Sequence, residues 1–208
     1  MRNPADPPST EALAYVALGD SYTIGTGVGP AERWPEQLVA RLGPSRLRLV
    51  ANLGVNGSTS GDVIRRELPQ LASLRPGFAS LLIGVNDVVQ GIPAEVSRDN
   101  GARILDTLLD ALPANRILVV STPDYTLTPA GARYGDPDVQ RARIVSHNAM
   151  LADLAGARGI AVVDIFDLSG RVRDDPSLVA DDELHPGAEQ YRLWVDRIAP
   201  QVERLIRD

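Results

Sequence analysis

The sequence contains no cysteine and only two histidines, and both shortages narrow the chemistry open to it. Without cysteine there is no disulfide, no thiolate nucleophile, no cysteine-ligated zinc and no iron–sulfur cluster. Any reaction that needs an imidazole must use His147 or His185. The lack of cysteine does not indicate a compartment, because a cysteine-free chain is compatible with either redox environment.

Basic residues are also scarce relative to acidic ones. The 208 residues include 21 basic and 27 acidic side chains, which gives a formal net charge of −6, and the isoelectric point is about 5.0. The longest basic run is the pair Arg65 and Arg66. A protein that binds nucleic acid needs a basic patch facing the phosphates. The composition therefore argues against a nucleic-acid partner.

Long apolar runs are missing as well. No stretch approaches the ~20 apolar residues of a transmembrane helix. The first 14 residues include three prolines and lack the apolar centre of a signal peptide. We therefore expect no transmembrane segment and a cytoplasmic location, with secretion of a mature form left open. The length predicts one domain, which we assign to residues 14–208 after a flexible N-terminal segment at residues 1–13.

The sequence does contain a regular alternation of short apolar runs and longer amphipathic runs. The short runs are bounded by Gly, Pro, Asn or Asp, which is typical of strands buried on both faces. The predicted strands are residues 14–18, 47–53, 80–83, 116–120 and 160–165, and the predicted helices are residues 35–41, 61–73, 93–112, 137–157 and 187–206. Such alternation predicts an α/β fold with a parallel sheet covered on both faces. Ligands bind such sheets beyond the carboxyl ends of the strands.

Three polar blocks follow the first three predicted strands. Ser21, in Gly-Asp-Ser, is a candidate nucleophile, although a turn or a helix cap explains an isolated Gly-Asp-Ser equally well. Gly57 follows the second strand, where its N–H faces a ligand or where Asn-Gly simply forms a turn. Asn86 follows the third strand, and its amide suits either an Asx turn or a developing oxyanion. Each block alone is weak evidence, but the position of all three at the carboxyl ends of strands indicates a functional site.

A fourth block lies before the last predicted helix, where Asp182 precedes His185 by three residues. A carboxylate at that spacing can reach the imidazole and orient it as a general base. One alternative is that His185 is an exposed loop histidine beside solvated acids. A metal site made of Asp181, Asp182 and His185 is another, but the sequence offers no further cluster of ligands to complete it. His147 lies within a predicted amphipathic helix, so we predict a structural role for it, at the surface.

These four blocks, taken in order, resemble the GDSL/SGNH hydrolase family. The resemblance extends from about residue 14 to the last helix, and its one departure is Tyr22 in place of the leucine in the family's first block. It implies a three-layer α/β/α flavodoxin-like sandwich with a five-stranded parallel sheet. In the flavodoxin-like strand order 2-1-3-4-5, the loops after strands 2, 1 and 3 are neighbours.

The resemblance also implies a role for each block. Ser21 would be the nucleophile, His185 the general base, and Asp182 the residue that orients His185. The backbone N–H groups of Ser21 and Gly57 and the side chain of Asn86 would form the oxyanion hole. The implied reaction is serine-dependent hydrolysis of a small-molecule carboxylic ester or thioester through an acyl-enzyme, with no cofactor and no metal.

Two other functions share these features. An acyltransferase would form the same acyl-enzyme and use another acceptor, whereas a non-catalytic flavodoxin-like binding module would leave the shared position of the blocks unexplained.

For the substrate, Val88, Val89 and Ile92 predict a hydrophobic acyl pocket, with helix packing as the alternative. The irregular stretch 121–136 predicts a mobile wall of the cleft, because loops of that length are uncommon unless functional.

Overall fold

The computed structural model describes residues 12–207, so most of the predicted N-terminal segment lies outside the described residues. Five strands form one sheet: β1 (Leu13–Gly19), β2 (Leu47–Asn52), β3 (Phe78–Leu82), β4 (Ile117–Val120) and β5 (Ala161–Val163). All five predicted strands are confirmed, with ends that differ by at most two residues. β1 begins at Leu13, the last residue of the segment predicted to be flexible.

The order of strands across the sheet is β2-β1-β3-β4-β5, and every neighbouring pair is parallel. This is the flavodoxin-like order expected from the resemblance, and it confirms the α/β fold class. β1 lies between β2 and β3. The loops that follow these three strands therefore emerge side by side at the carboxyl edge of the sheet.

Helices cover both faces of the sheet. They are α1 (Ser21–Ile24), α2 (Trp34–Leu42), α3 (Ser60–Asp62), α4 (Leu71–Leu74), α5 (Val85–Val89), α6 (Ala94–Ala111), α7 (Pro137–Gly156) and α8 (Ala188–Leu205). Within residues 12–207, none of these helices is long and apolar enough to cross a membrane. Two short helices, α1 and α5, follow the ends of β1 and β3 and were not predicted from the sequence.

Alternate residues of β1 face two separate cores. Tyr15 and Ala17 pack in the core that α2 and α8 cover, whereas Val16 and Leu18 pack in the core that α6 and α7 cover. All four side chains are fully buried. Because successive side chains of a strand point to opposite faces, burial on both faces requires the unbroken apolar run seen in this strand.

The helix predicted over residues 61–73 is correctly located but is not regular. α3 continues into a π-helical turn, Val63–Glu67, then a 3-10 turn, Leu68–Gln70, and then α4. Pro69 has no N–H, so it cannot donate the i→i−4 bond of a regular α-helix. Glu67, at the end of the π-helical turn, is only 1% exposed, and its Oε2 accepts a 2.8 Å hydrogen bond from the backbone N–H of Gly19.

Asp20 and Glu67 are two buried carboxyl groups at the end of β1. Asp20 Oδ1 accepts a hydrogen bond from the Tyr22 N–H at 3.0 Å, whereas Asp20 Oδ2 and Glu67 Oε1 have no hydrogen-bond partner among the described residues. Burial raises the pKa of Asp20 to about 7 and the pKa of Glu67 to about 8, although a backbone N–H opposes the shift in each case. Glu67 therefore keeps its proton at pH values where an exposed glutamate is ionised.

We predict that Glu67 makes the folded state less stable as pH rises. The ordinary glutamate pKa is about 4.3, so between roughly pH 4.5 and 8 the folded chain holds a proton that the unfolded chain has released. The free energy of unfolding must then decrease across that window. Glu67→Gln cannot titrate and should flatten the dependence by up to about 1.4 kcal/mol per pH unit.

Urea unfolding of both proteins at pH 5, 6.5 and 8 measures this difference. Glu95→Gln is the matched control, because Glu95 is an exposed glutamate in the first turn of α6. Equal pH slopes for the wild type and Glu67→Gln would contradict the prediction.

Candidate active site

Ser21 is the first residue of α1 and lies two residues after the end of β1. Asp20 caps this helix through its bond to the Tyr22 N–H. The capping role considered for the Gly-Asp-Ser block thus belongs to Asp20, and the Ser21 hydroxyl is left to line a pocket. Within the described chain, the backbone N–H of Ser21 has no protein acceptor.

Gly57 lies in the turn after β2, and that turn is bonded to the loop after β1. Asn56 Oδ1 accepts a 2.7 Å hydrogen bond from Thr26 Oγ1, and the Val55 N–H donates to the Gly19 carbonyl at 3.2 Å. Gly57 has a φ of +77°, yet a Cβ placed on it would meet no atom within 4 Å. Backbone conformation, not lack of space, therefore requires glycine here. No acceptor for the Gly57 N–H is found in residues 12–207.

Asn86 lies in α5, after β3, and its amide is fixed by the neighbouring turn. Its Nδ2 donates one hydrogen bond to the Ser58 carbonyl at 2.9 Å, which leaves the second N–H of that nitrogen free for a ligand. Asp87 is 1% exposed, and its carboxylate accepts bonds from the Ser60 N–H (2.8 Å), Ser60 Oγ (2.6 Å) and Ser97 Oγ (2.7 Å). Asp87 therefore ties α5 both to the segment after β2 and to α6.

Asp182 and His185 lie in the loop before α8. Asp182 Oδ2 is 2.5 Å from His185 Nδ1, and Asp182 Oδ1 accepts bonds from the backbone N–H groups of Leu184 and His185, each at 2.9 Å. Partial burial favours a higher pKa for Asp182, but the bonds from His185 and Leu184 hold that pKa below its ordinary value. Ionised Asp182 accepts a hydrogen bond from the Nδ1–H of His185, which leaves Nε2 as the acceptor nitrogen. In residues 12–207, no group of three or more His, Asp and Glu side chains could hold a metal ion.

The loop that carries His185 is held by two further sets of contacts. The Ala180 N–H donates to the His185 carbonyl at 2.8 Å. The Ala130 N–H donates to the Glu183 carbonyl at 2.9 Å, and Arg133 forms a 2.6 Å ion pair with the Glu183 carboxylate. Glu183 has a φ of +65°, a conformation that non-glycine residues seldom adopt. The bonds to Glu183 connect the histidine loop to the stretch 121–136.

That stretch contains two short 3-10 turns, Tyr125–Leu127 and Gly131–Tyr134, and forms one wall of the pocket. Tyr125 and Tyr134 meet edge to face, with ring centroids 5.8 Å apart. Tyr125 is buried, whereas Tyr134 is 40% exposed at the rim. The wall is therefore an aromatic surface with one partly exposed ring, and the mobility expected for it stays a prediction.

One open pocket of about 260 Å³ brings together residues from all four blocks. Ser21, Gly57, Asn86 and His185 all line it, and Asp182 contacts His185. Ser21 Oγ and His185 share the pocket without a direct hydrogen bond, and such catalytic bonds often tighten only when substrate binds. The remaining lining residues are mostly apolar or aromatic: Tyr22, Asn56, Val85, Val89, Tyr125, Tyr134 and Leu184.

The three residues predicted to form an acyl pocket divide between two sides of α5. Val89 lines the pocket with Ser21, whereas Val88 and Ile92 line a second cavity, of about 360 Å³, formed by residues of α5, α6 and α7 and the loop joining α5 to α6. Successive residues of a helix point about 100° apart, and in α5 this rotation turns Val88 toward the second cavity and Val89 toward the pocket with Ser21. Leu184 completes the apolar lining from the histidine loop, and the sequence had not singled it out.

His147 is buried, not at the surface as predicted, and only 8% of its area is exposed. It lies on the inner face of α7, whose buried side chains include Gln140, Ile144, His147, Leu151 and Leu154. These positions are three or four residues apart, the spacing of one helix face. That spacing is visible in the sequence and is the signal that identifies His147 as an inward-facing residue.

Known proteins resemble this chain over most of its length. Residues 17–193 match the model of the GDSL-like Lipase/Acylhydrolase family. An arylesterase from Vibrio mimicus is 26% identical over 190 residues, which cover 89% of this chain and 86% of that protein. A lipase from Streptomyces rimosus is 27% identical over 196 residues, which cover 76% of this chain and 72% of the lipase.

Solved structures share the fold. An α/β hydrolase from the metagenome of Lake Arreo, Spain, superimposes with a TM-score of 0.71 at 20% identity, covering 94% of this chain and 97% of that one. An acetylxylan esterase from Geobacillus stearothermophilus gives a TM-score of 0.67 at 16% identity, covering 95% of each chain. At these identities the likeness concerns the arrangement of strands and helices.

Proposed function

Because the chain belongs to the GDSL-like lipase/acylhydrolase family and is a carboxylic ester hydrolase, we propose that Ser21, His185 and Asp182 form its catalytic triad. One observation carries the proposal: Ser21, His185, Gly57 and Asn86 come from four separate segments of the chain and line the same pocket. A nucleophile, a base and oxyanion donors in one cleft are the minimum set for acyl transfer.

In the first step, Ser21 Oγ attacks the carbonyl carbon of the ester while its proton passes to His185 Nε2. The 2.5 Å contact between His185 Nδ1 and Asp182 Oδ2 supports this direction of transfer, because it holds the proton on Nδ1 and leaves Nε2 as the acceptor. The imidazolium that results is stabilised by the Asp182 carboxylate, which stays ionised throughout.

The carbonyl oxygen becomes negatively charged in this step and needs hydrogen-bond donors. Three groups at this pocket have an N–H with no acceptor among residues 12–207: the backbone of Ser21, the backbone of Gly57 and the second N–H of Asn86 Nδ2. Donors that are already in place at the developing charge lower the barrier without a reorganisation cost. We propose these three groups as the oxyanion hole.

The tetrahedral intermediate collapses when the bond to the alcohol oxygen breaks and His185 returns its proton to that oxygen. The product is an acyl-enzyme on Ser21. Water then attacks the acyl carbon, again with His185 as the base, and releases the acid and the free serine. The cycle uses only groups of the chain and water.

The size and lining of the pocket support a small ester as substrate. Its volume of about 260 Å³ is below the roughly 300–1,000 Å³ of pockets that hold drug-sized ligands. Val89, Leu184, Tyr125 and Tyr134 give it an apolar and aromatic wall. The names of the Vibrio arylesterase and the Geobacillus acetylxylan esterase also denote esters with compact groups. We propose short-chain esters, including aryl esters, as the substrate class.

Replacing the nucleophile tests the triad directly. Ser21→Ala should lose at least about 10³-fold in kcat on p-nitrophenyl acetate, because no acyl-enzyme forms. It should also lose the mass increase that a fluorophosphonate probe gives the wild type. Ser45→Ala, which changes an exposed serine, serves as the control and should keep both. Full esterase activity in Ser21→Ala would exclude Ser21 as the nucleophile.

A pair of glycine variants tests the backbone donor. Gly57 and Gly91 have similar φ values, +77° and +68°, and a Cβ on either would meet no atom within 4 Å. Each alanine variant should therefore lose a similar amount of stability, about 1–2 kcal/mol, in urea unfolding. Only Gly57→Ala should also lower kcat, since strain there shifts an oxyanion donor. Equal kcat values for the two variants would argue against Gly57 as a donor.

A series of p-nitrophenyl esters from acetate to palmitate tests the substrate class. The value of kcat/KM should be highest for acyl chains of two to four carbons and should fall roughly tenfold or more by eight carbons, because longer chains exceed the pocket. Rates for Ser21→Ala supply the background. A preference for twelve carbons or more would contradict a short-chain site.

A further inference from the structure

The helix that carries Asn86 packs against a histidine that the proposed reaction does not use. His147, on the inner face of α7, lies 3.1 Å through its Nε2 from the carbonyl oxygen of Ile83. Ile83 directly follows β3, so its carbonyl lies just beyond the strand end from which α5 begins. Thr122 Oγ1 donates to the same oxygen at 3.3 Å. The end of β3 is therefore held by donors from two neighbouring segments.

The imidazole ring also contacts the backbone of Gly84, the next residue. Gly84 has a φ of +131°, and a Cβ placed on it would lie 1.9 Å from His147 Nε2 and within 2.5 Å of two ring carbons. The ring thus occupies the space that any larger residue at position 84 would need. Two residues further along the chain is Asn86, the proposed oxyanion donor.

The chemistry of the ring suits this position. Burial lowers the pKa of His147, although the negative charge of Asp87 opposes the shift, so the ring is neutral. The Ile83 carbonyl can only accept, so the neutral ring carries its proton on Nε2 and donates it. An apolar side chain of similar size would fill the space beside Gly84 but would supply no donor.

From these contacts we propose that His147 is a positioning residue for Asn86: it holds the Ile83–Gly84 backbone so that the Asn86 amide reaches the oxyanion. The inference rests on the proposed function, since it takes Asn86 as an oxyanion donor. The other contacts of α5 act at different points: the Ser58 carbonyl accepts from the Asn86 amide itself, and Asp87 bonds to Ser60 and Ser97. His147 holds the segment that leads from β3 into α5. An error of about 1 Å in the position of a catalytic group can lower a rate by up to roughly 10²-fold.

The test is a double-mutant cycle between positions 147 and 86. His147→Leu keeps the bulk of the ring and removes the donor, with His147→Met as a second apolar variant if the leucine variant folds poorly. His147→Gln places an amide N–H near the position of Nε2. Each is made in the wild type and in Asn86→Ala. Values of kcat and KM for p-nitrophenyl acetate are measured per active site titrated with fluorophosphonate, so that misfolded protein is not counted.

In the wild-type background, His147→Leu should lower kcat roughly tenfold with little change in KM, and His147→Gln should restore most of the loss. Asn86→Ala alone should lower kcat about 10²–10³-fold. Adding His147→Leu to Asn86→Ala should then cost little more, because the group that His147 positions is already absent.

Other outcomes would overturn the proposal and would show which part had failed. If His147→Leu lowers kcat by the same factor in both backgrounds, or if His147→Gln is as slow as His147→Leu, His147 does not act through Asn86. An unchanged kcat in His147→Leu has the same meaning. If Asn86→Ala itself has normal kcat, the oxyanion assignment fails, and the role of His147 fails with it.

Discussion

The parallel pairing of β1 with β2 on one side and with β3 on the other places the ends of all three strands at one edge of the sheet. Several peptide groups at these ends have no ladder partner and must bond outside the sheet. They bond to the adjacent loops: the Gly19 N–H donates to Glu67, the Gly19 carbonyl accepts from Val55, and the Ile83 carbonyl accepts from Thr122 and His147. The loops that line the pocket are thus bonded to the strand ends and to one another, and the geometry of the site depends on that pairing.

The polar groups of this region fall into two energetic classes. The Asp87 carboxylate accepts three hydrogen bonds inside the protein, from the Ser60 N–H and from the hydroxyls of Ser60 and Ser97. Asp20 and Glu67 each leave one oxygen without a partner among the described residues, and burial raises both of their pKa values. Both groups bond to the turn that presents Ser21, because Glu67 accepts from the Gly19 N–H and Asp20 accepts from the Tyr22 N–H. A fold that bound this edge only through apolar contacts would not fix the direction of a hydroxyl or an N–H.

The sequence predicted the parts of the fold that local pattern controls. The five strands are apolar runs between turn residues, and their positions were predicted to within two residues. The helix over residues 61–73 was located, but its irregular interior was not predicted. Pro69 is visible in the sequence as a break, whereas the inward position of Glu67 depends on its bond with Gly19 in β1. The short helices α1 and α5 were missed for a related reason: four or five residues have no measurable period. Their form comes from caps and packing.

In the candidate site too, residues marked by a local pattern could be predicted, and residues placed by tertiary contacts could not. Ser21, Gly57, Asn86 and His185 could be chosen from the sequence because each follows a strand or precedes a helix in a distinctive block. Val88 and Ile92 could not be separated from Val89 without knowing the rotation of α5. His147 could have been identified as buried from the spacing of α7, but its contact with Gly84 joins residues 63 positions apart, and no local pattern encodes it.

The bond between Ala130 and the Glu183 carbonyl joins the aromatic wall of the pocket to the loop that carries His185. A change in that wall which admits a bulkier ester therefore also disturbs backbone two residues from the imidazole. In such an arrangement, substitutions that change which esters fit the pocket also change the rate at which it hydrolyses them. Relatives that act on new esters would then carry paired substitutions in the stretch 121–136 and in the loop of His185. Single substitutions would be tolerated mainly at the rim, for example at the partly exposed Tyr134.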